Sequence, residues 1–271
     1  DKNSRKGTFG NVGIIIGEKC GAGTIACDAA FKFGAGLVTA VCHKELNLPY
    51  HIMQSHFLPE NCTAVALGMG LGNYEIGEIR SILALKIPKV IDADLFYEEL
   101  LLEFLNKELV LTPHPKEFCA LLKLCNIADI SVNTLQHDRF KYVEMFTKKY
   151  ANVTLLLKGA NTIIAKAEKR YINNHGTPNL SKGGSGDALS GLIVSLLAQG
   201  YNSLDATITA SLAHSFAASN FAKNSYALTP QDIIDESYKR AYGNEADKIQ
   251  LLNYRLLRLL RSKDELATIY E

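Results

Sequence analysis

Short aliphatic runs recur along this chain, and each closes on glycine or a polar loop before a stretch of helical period begins. Residues 12–16 form one such run between glycines, residues 37–42 a second, and residues 64–67 a third that ends in Gly68-Met69-Gly70-Leu71-Gly72. Val90-Ile91 leads into Asp92-Ala93-Asp94, residues 109–111 into Thr112-Pro113-His114-Pro115, and residues 153–157 into Lys158-Gly159, with residues 162–165 as the returning arm of a hairpin. Strands that stay apolar without alternating are buried on both faces, as in a parallel sheet covered by helices. The pattern predicts an α/β fold with a central, mostly parallel sheet flanked by helices on both faces. Ligands of such sheets bind beyond the carboxyl ends of the strands. The loops opening at Gly17, Gly68, Asp92, Thr112 and Lys158 are therefore expected to line one crevice. Strand order is not legible at this level.

Helical signals fill the intervals. Residues 24–33 read as a helix ended by Gly34, after a Gly21-Ala22-Gly23 loop. Residues 186–199 carry Leu189, Leu192, Ile193, Leu196 and Leu197 on one face, with Gly200 placed to cap the end. Thr229-Pro230-Gln231-Asp232 combines an N-cap, an N1 proline and a first-turn acid, so a helix is expected from there to about residue 242, with Gly243 as its stop. Residues 1–243 read as one domain and 244–271 as a helical extension. Ile249, Leu252, Leu256, Leu259 and Leu260 stripe that extension, which suits packing on its own domain or a homo-oligomer contact.

The 271 residues carry a net charge of +1 and no basic stripe, which disfavours nucleic acid as a partner. No apolar run reaches the roughly 18 residues of a membrane span. Six cysteines without a Cys-x-x-Cys pair suit buried thiols in a reducing, cytoplasmic setting. The chain opens on a polar segment at Asp1 rather than on methionine, which leaves room for a preceding domain.

Gly183-Gly184-Ser185-Gly186-Asp187 carries the most chemistry. Its glycines let backbone N–H groups turn inward, and the helix that follows points its positive end at them, so the stretch can cradle a phosphoryl group. Asp187 would repel that anion unless it had a task, and the fitting task is accepting a proton from an attacking hydroxyl. Read alone, the stretch is equally open to being a glycine-rich turn with a capping acid. No Gly-x-x-x-x-Gly-Lys-Ser/Thr occurs, and Gly68-x-Gly70-x-Gly72 has the wrong spacing for a dinucleotide fingerprint. In Thr112-Pro113-His114-Pro115-Lys116-Glu117 two prolines stiffen a loop that presents His114, as a turn histidine or a ligand contact. Glu117 complements a helix dipole or holds a magnesium-bound water. Lys158-Gly159-Ala160-Asn161-Thr162 is a hairpin turn whose backbone could edge a purine or ribose.

Taken in order, these motifs together with Lys6-Gly7-Thr8-Phe9-Gly10 and Gly34-Ala35-Gly36-Leu37-Val38 resemble the ADP/ATP-dependent NAD(P)H-hydrate dehydratases, over residues 6–242. The resemblance implies a ribokinase-like fold. It implies that Ala22, Gly70, His114 and Asp187 contact the hydrated nicotinamide dinucleotide. Lys158, Gly159, Ala160, Asn161 and Thr162, with Gly183, Gly184, Ser185 and Gly186, would contact the adenine nucleotide. His114-x-x-Glu117 stands where ribokinase-like kinases carry Asn-x-x-Glu, which makes Glu117 the candidate for indirect Mg2+ contact. The sequence departs from the family at Lys116, His175 and Ser181-Lys182. Of these, Lys182 is either a solvated loop lysine or a cation beside the phosphate.

The expected activity is repair of hydrated NADH or NADPH. ADP or ATP would phosphorylate the ring hydroxyl, with Asp187 as general base, and phosphate would then leave. Many relatives carry an N-terminal epimerase domain, so fusion to or pairing with one is expected. The alternatives are a vitamin-precursor or sugar kinase of the same fold and a nucleotide sensor without turnover. The intact Asp187 argues against the sensor.

Overall fold

The computed structural model describes residues 5–221 and 225–241. The expected strands form and two more join them. The strands are β1 (Asn11–Ile15), β2 (Leu37–Val41), β3 (Met53–Ser55), β4 (Ala64–Leu67), β5 (Lys89–Ile91), β6 (Val110–Leu111), β7 (Thr154–Leu157), β8 (Thr162–Lys166) and β9 (Lys169–Asn173). They build one sheet in the order β3-β2-β1-β4-β5-β6-β7-β8-β9. All pairs from β3 to β7 are parallel, whereas β7–β8 and β8–β9 are antiparallel. Strand β3 and the third arm β9 were not anticipated. Met53-Gln54-Ser55 is a short, half-polar edge, and Lys169–Asn173 has an exposed, basic start, so neither carries a continuous apolar run.

The helices are α1 (Cys20–Lys32), α2 (Ile76–Ala84), α3 (Pro115–Leu124), α4 (Val132–His137), α5 (Arg139–Lys149), α6 (Ser185–Ala198), α7 (Ser203–Ser219) and α8 (Pro230–Ala241). Successive strand residues point to opposite faces, and each face has its own core. Ile14 packs with Ala26, Ala29, Leu192, Ile193 and Ala210 on the side of α1, α6 and α7. Ile15 packs with Ile79, Phe118, Leu122, Val143 and Phe146 on the side of α2, α3 and α5. Helix α1 begins at Cys20, earlier than expected, because Gly21-Ala22-Gly23 belongs to its first turn. A Cβ on Gly23 would lie 2.6 Å from the Ile16 side chain, so the small residue lets the helix rest on β1. Helix α7 is buried almost all round by Ala, Ser and Thr and presents no amphipathic stripe to read.

The strand order reverses beside β1, which has β2 on one side and β4 on the other. Such a switch point opens a crevice at the carboxyl ends of the two strands. The loops after β1 and β4 meet there, with the Glu18 N–H donating to the Leu71 carbonyl and the Lys19 N–H to the Gly70 carbonyl, both at 3.0 Å. All six cysteines are free thiols. No described helix is long and apolar enough to cross a membrane. The expected extension over 244–271, and the helix stop at Gly243, lie outside the described residues.

Candidate active site

Beyond the carboxyl ends of β5, β6 and β7 lies a cavity of about 740 Å³. Its floor is the first turn of α6. Gly184 occupies the N-cap in the left-handed region at φ 87°, which glycine adopts without a Cβ clash. The Gly186 and Asp187 N–H groups in that turn meet no acceptor among the described residues, as expected for a helix start. They are the N–H groups that the sequence reading expects to cradle an anion.

The Asp187 carboxylate stands in the same turn and accepts no hydrogen bond among the described residues. Burial pushes its pKa up to about 6, the buried Asp92 carboxylate adds to the rise, and Lys158 opposes it. A carboxylate tuned this way is basic enough to take a hydroxyl proton near neutrality.

Lys158 ends β7 and reaches back across the cavity. Its Nζ donates to Asp92 Oδ1 at 2.7 Å and would lie 3.2 Å from a Cβ on Gly186. The ammonium therefore sits against the cradle. Asp92 is 2% exposed and fully committed: Oδ1 also accepts from the Ala93 N–H at 2.9 Å, and Oδ2 accepts from Ser190 Oγ at 2.8 Å. Asp92 was visible in the sequence only as part of an acidic loop. Its role as anchor of Lys158 needs β5 and β7 to be placed two strands apart.

His114 and Glu117 cap α3 reciprocally. His114 Nδ1 accepts from the Lys116 and Glu117 N–H groups, and Glu117 Oε2 accepts from the His114 N–H at 2.7 Å. With Nδ1 accepting, the ring proton is on Nε2, 3.2 Å from Glu117 Oε1. Burial lowers the His114 pKa, helped by Lys158, and burial raises that of Glu117. Both groups lean toward their neutral forms, so the contact is weak as an ion pair.

The turn after β7 is held from below by Arg139, whose guanidinium donates to the carbonyls of Leu157, Lys158 and Asn161 at 2.8–3.1 Å. Lys158, Gly159, Ala160 and Thr162 line the cavity, with His114, Glu117 and residues 183–187. Asn161 does not; its carbonyl is taken by Arg139. Ala22 and Gly70 lie in the adjoining crevice beside β1, where a Cβ on Gly70 would be 3.4 Å from the Ala22 Cβ. Ile25, one turn along α1 from Ala22, abuts Gly184, so its side chain stands between the crevice and the cavity. Lys182 lines the cavity but donates to the Tyr226 carbonyl at 2.7 Å, as a loop tie. Sequence reading also missed Arg139 and His214, neither of which sits in a motif.

No group of three or more His, Cys, Asp or Glu side chains that could cage a metal occurs among the described residues. Mg2+ commonly keeps its waters and binds substrate phosphates, with only one or two carboxylates from the protein. Glu117, beside the phosphate cradle, fits that lighter role.

A nine-stranded, mostly parallel sheet flanked by helices, with a glycine-rich helix start and a carboxylate in its first turn, defines a ribokinase-like α/β protein. A profile of the NAD(P)H-hydrate dehydratase family matches residues 12–239, and the chain belongs to that family. It is 44% identical over 239 residues to a bifunctional NAD(P)H-hydrate repair enzyme of Helicobacter pylori, covering 87% of this chain and 50% of that protein. It is 32% identical to an ADP-dependent (S)-NAD(P)H-hydrate dehydratase of Neisseria meningitidis, over 92% of this chain and 85% of the relative. Among solved structures, the ADP/ATP-dependent NAD(P)H-hydrate dehydratase of Bacillus subtilis, co-crystallised with ATP/Mg2+, superposes with a TM-score of 0.75 at 22% identity, covering 92% of this chain and 93% of that one. The chain spans about half the length of the bifunctional relatives.

Proposed function

We propose that residues 1–243 form a catalytic unit that dehydrates the hydrated form of NADH or NADPH at the expense of ADP or ATP. The observation that carries this reading is Asp187, a carboxylate that accepts no hydrogen bond among the described residues and has its pKa raised to about 6, in a helix turn whose Gly186 and Asp187 N–H groups meet no acceptor among them. Ala22, Gly70 and His114 would hold the dinucleotide. Lys158 to Thr162 and the 183–186 loop would hold the nucleotide.

In this reading the ring hydroxyl of the hydrate attacks the terminal phosphorus of the nucleotide, and its proton passes to Asp187. The bond to the leaving AMP (from ADP) or ADP (from ATP) breaks. The Gly186 and Asp187 N–H groups and the Lys158 ammonium stabilise charge on the transferring group where it develops. Phosphate leaves more readily than hydroxide, so the ring nitrogen's lone pair expels it, and loss of a ring proton restores the dihydronicotinamide. Bound Mg2+ would neutralise phosphate charge, with Glu117 touching it through water.

The half-length match to bifunctional relatives supports a partner or fused domain that interconverts hydrate epimers. The deciding experiment incubates hydrated NADH with ADP and, in parallel, ATP. Recovery of NADH absorbance with release of inorganic phosphate is the expected result. A stable phosphorylated product from a vitamin precursor or sugar, without NADH recovery, would replace the dehydratase with a kinase.

A further inference from the structure

Helix α7 carries a polar row, Ser203, Thr207, Ser211 and Ser215, along a face that is otherwise packed, with His214 beside it. Burying such groups is costly unless each finds a partner, and nearly all do. Ser203 Oγ bonds with Thr154 and Glu108, and Thr207 Oγ1 donates to the Ser203 carbonyl. Asn173 Nδ2 donates to both Ser211 Oγ and Ser215 Oγ at 2.9 Å.

His214 is the exception. It is 6% exposed and lines the cavity. Its Nε2 lies 2.9 Å from the Ser185 carbonyl oxygen and 3.1 Å from Ser185 Oγ. A carbonyl can only accept, so Nε2 carries the proton and Nδ1 keeps an open lone pair. Nδ1 has no hydrogen-bond partner among the described residues. It is also absent from the sealed, unpaired polar atoms, so it opens onto the cavity. Burial holds the His214 pKa down at about 4, so the ring stays neutral and Nδ1 remains an acceptor at physiological pH.

We infer that His214 is a specificity residue for the nucleotide, with Nδ1 accepting a hydrogen bond from a donor on its nucleoside: the adenine 6-amino group or a ribose hydroxyl. The same ring ties Ser185, at the start of the cradle, to α7, so one side chain reads the nucleoside and holds the phosphate loop. A base or sugar that lacks the donor leaves Nδ1 dry and unpaired, which is how a polar site rejects an analogue. The inference rests on the nucleotide reading proposed above and goes beyond it by naming the group that selects.

Calorimetric binding of ADP, purine riboside 5′-diphosphate, 2′-deoxy-ADP and 3′-deoxy-ADP to the wild-type chain and to His214→Gln tests it. Glutamine keeps an N–H for Ser185 and loses the imidazole acceptor. The wild type is expected to bind one analogue about tenfold more weakly than ADP, and that analogue identifies the donor. In His214→Gln the penalty shrinks to within about twofold. Penalties of equal size in both proteins, or none in the wild type, overturn the inference and leave the nucleotide reading standing. No ADP binding to the wild type overturns both. Ring-nitrogen NMR of the wild type needs no variant: the unprotonated Nδ1 resonance of His214 should move with ADP and not with inorganic phosphate, and a resonance unmoved by ADP overturns the inference.

Discussion

Asp187 sits where an acid is least comfortable, half-buried, with Asp92 nearby and no hydrogen bond to its carboxylate among the described residues. Its raised pKa has a sign in both activity and stability. For activity, the base works only when deprotonated, so kcat/KM should climb as pH rises to about 6 and level off above it. A pH–rate profile without that limb would remove Asp187 from the role. Asp187→Asn should lower turnover by at least ~100-fold in the absorbance assay. For stability, a carboxyl raised from 3.8 to about 6 favours folding below its unfolded pKa, and that contribution is lost as pH climbs through about 6. The shift corresponds to about 3 kcal/mol, on the order of 2 after solvent screening. Asp187→Asn should therefore melt several degrees above the wild type at pH 7.5 and together with it near pH 4, in paired thermal melts. A capping acid would do the opposite, since its removal destabilises the helix start. The sequence alone could not separate these two readings of Asp187, because the difference lies in the burial and the neighbouring charge.

Helix α5 opens on Arg139, a cation at the end of a helix that favours anions. The placement makes sense through its three carbonyl bonds to the turn after β7, which fix Leu157, Lys158 and Asn161. Hydrogen bonds from a charged donor contribute about 1.5–3 kcal/mol, and here they order the turn rather than touch a ligand. Arg139→Ala should weaken ADP binding about tenfold by calorimetry. The KM for hydrated dinucleotide should stay within about twofold, since Ala22 and Gly70 lie in the separate crevice beside β1; an unchanged ADP affinity would show that the turn holds its own shape. The elements divide by how they announce themselves. Strands β1, β4 and β7 are apolar runs and α6 carries leucine and isoleucine at helical spacing, so all were legible, although α6 is buried on nearly every side rather than on one face. Helix α7 is buried on nearly every side and β3 is three residues long, so neither carries a period to read. The cavity loops were legible for the same reason the strands were. Arg139 and His214 were not, because each acts across 18 or more residues of chain on a partner that only the fold brings near.

At the scale of the whole molecule, the site is divided between two halves of the sheet. The cavity groups Asp92, His114 and Lys158 follow β5, β6 and β7, while Ala22 and Gly70 flank β1 and β4. The shared piece is the packing of α1, which carries Ala22, on α6, which carries Asp187. Gly191 lets these helices pack closely: a Cβ there would collide with the Ala26 carbonyl and lie 2.7 Å from the Ala29 Cβ. Neither obstacle is the end of a flexible side chain, so the helices themselves must part. Overpacking of this kind costs about 1–3 kcal/mol, or roughly 2–12 °C of melting temperature for a chain of this size. A displacement of even about 1 Å between a substrate contact and the base can cost ~100-fold in rate. Gly191→Ala should thus lower both Tm and kcat with hydrated NADH, yet leave ADP affinity within about threefold, because a Cβ on Gly191 meets Ala26 and Ala29 of α1 and none of the cradle, Lys158 or the 157–161 turn. Calorimetry with ADP and steady-state kinetics on the same preparation separate the two effects. Equal losses of ADP binding and turnover would mean that the cradle itself had moved, and that the two halves of the site are not independently held.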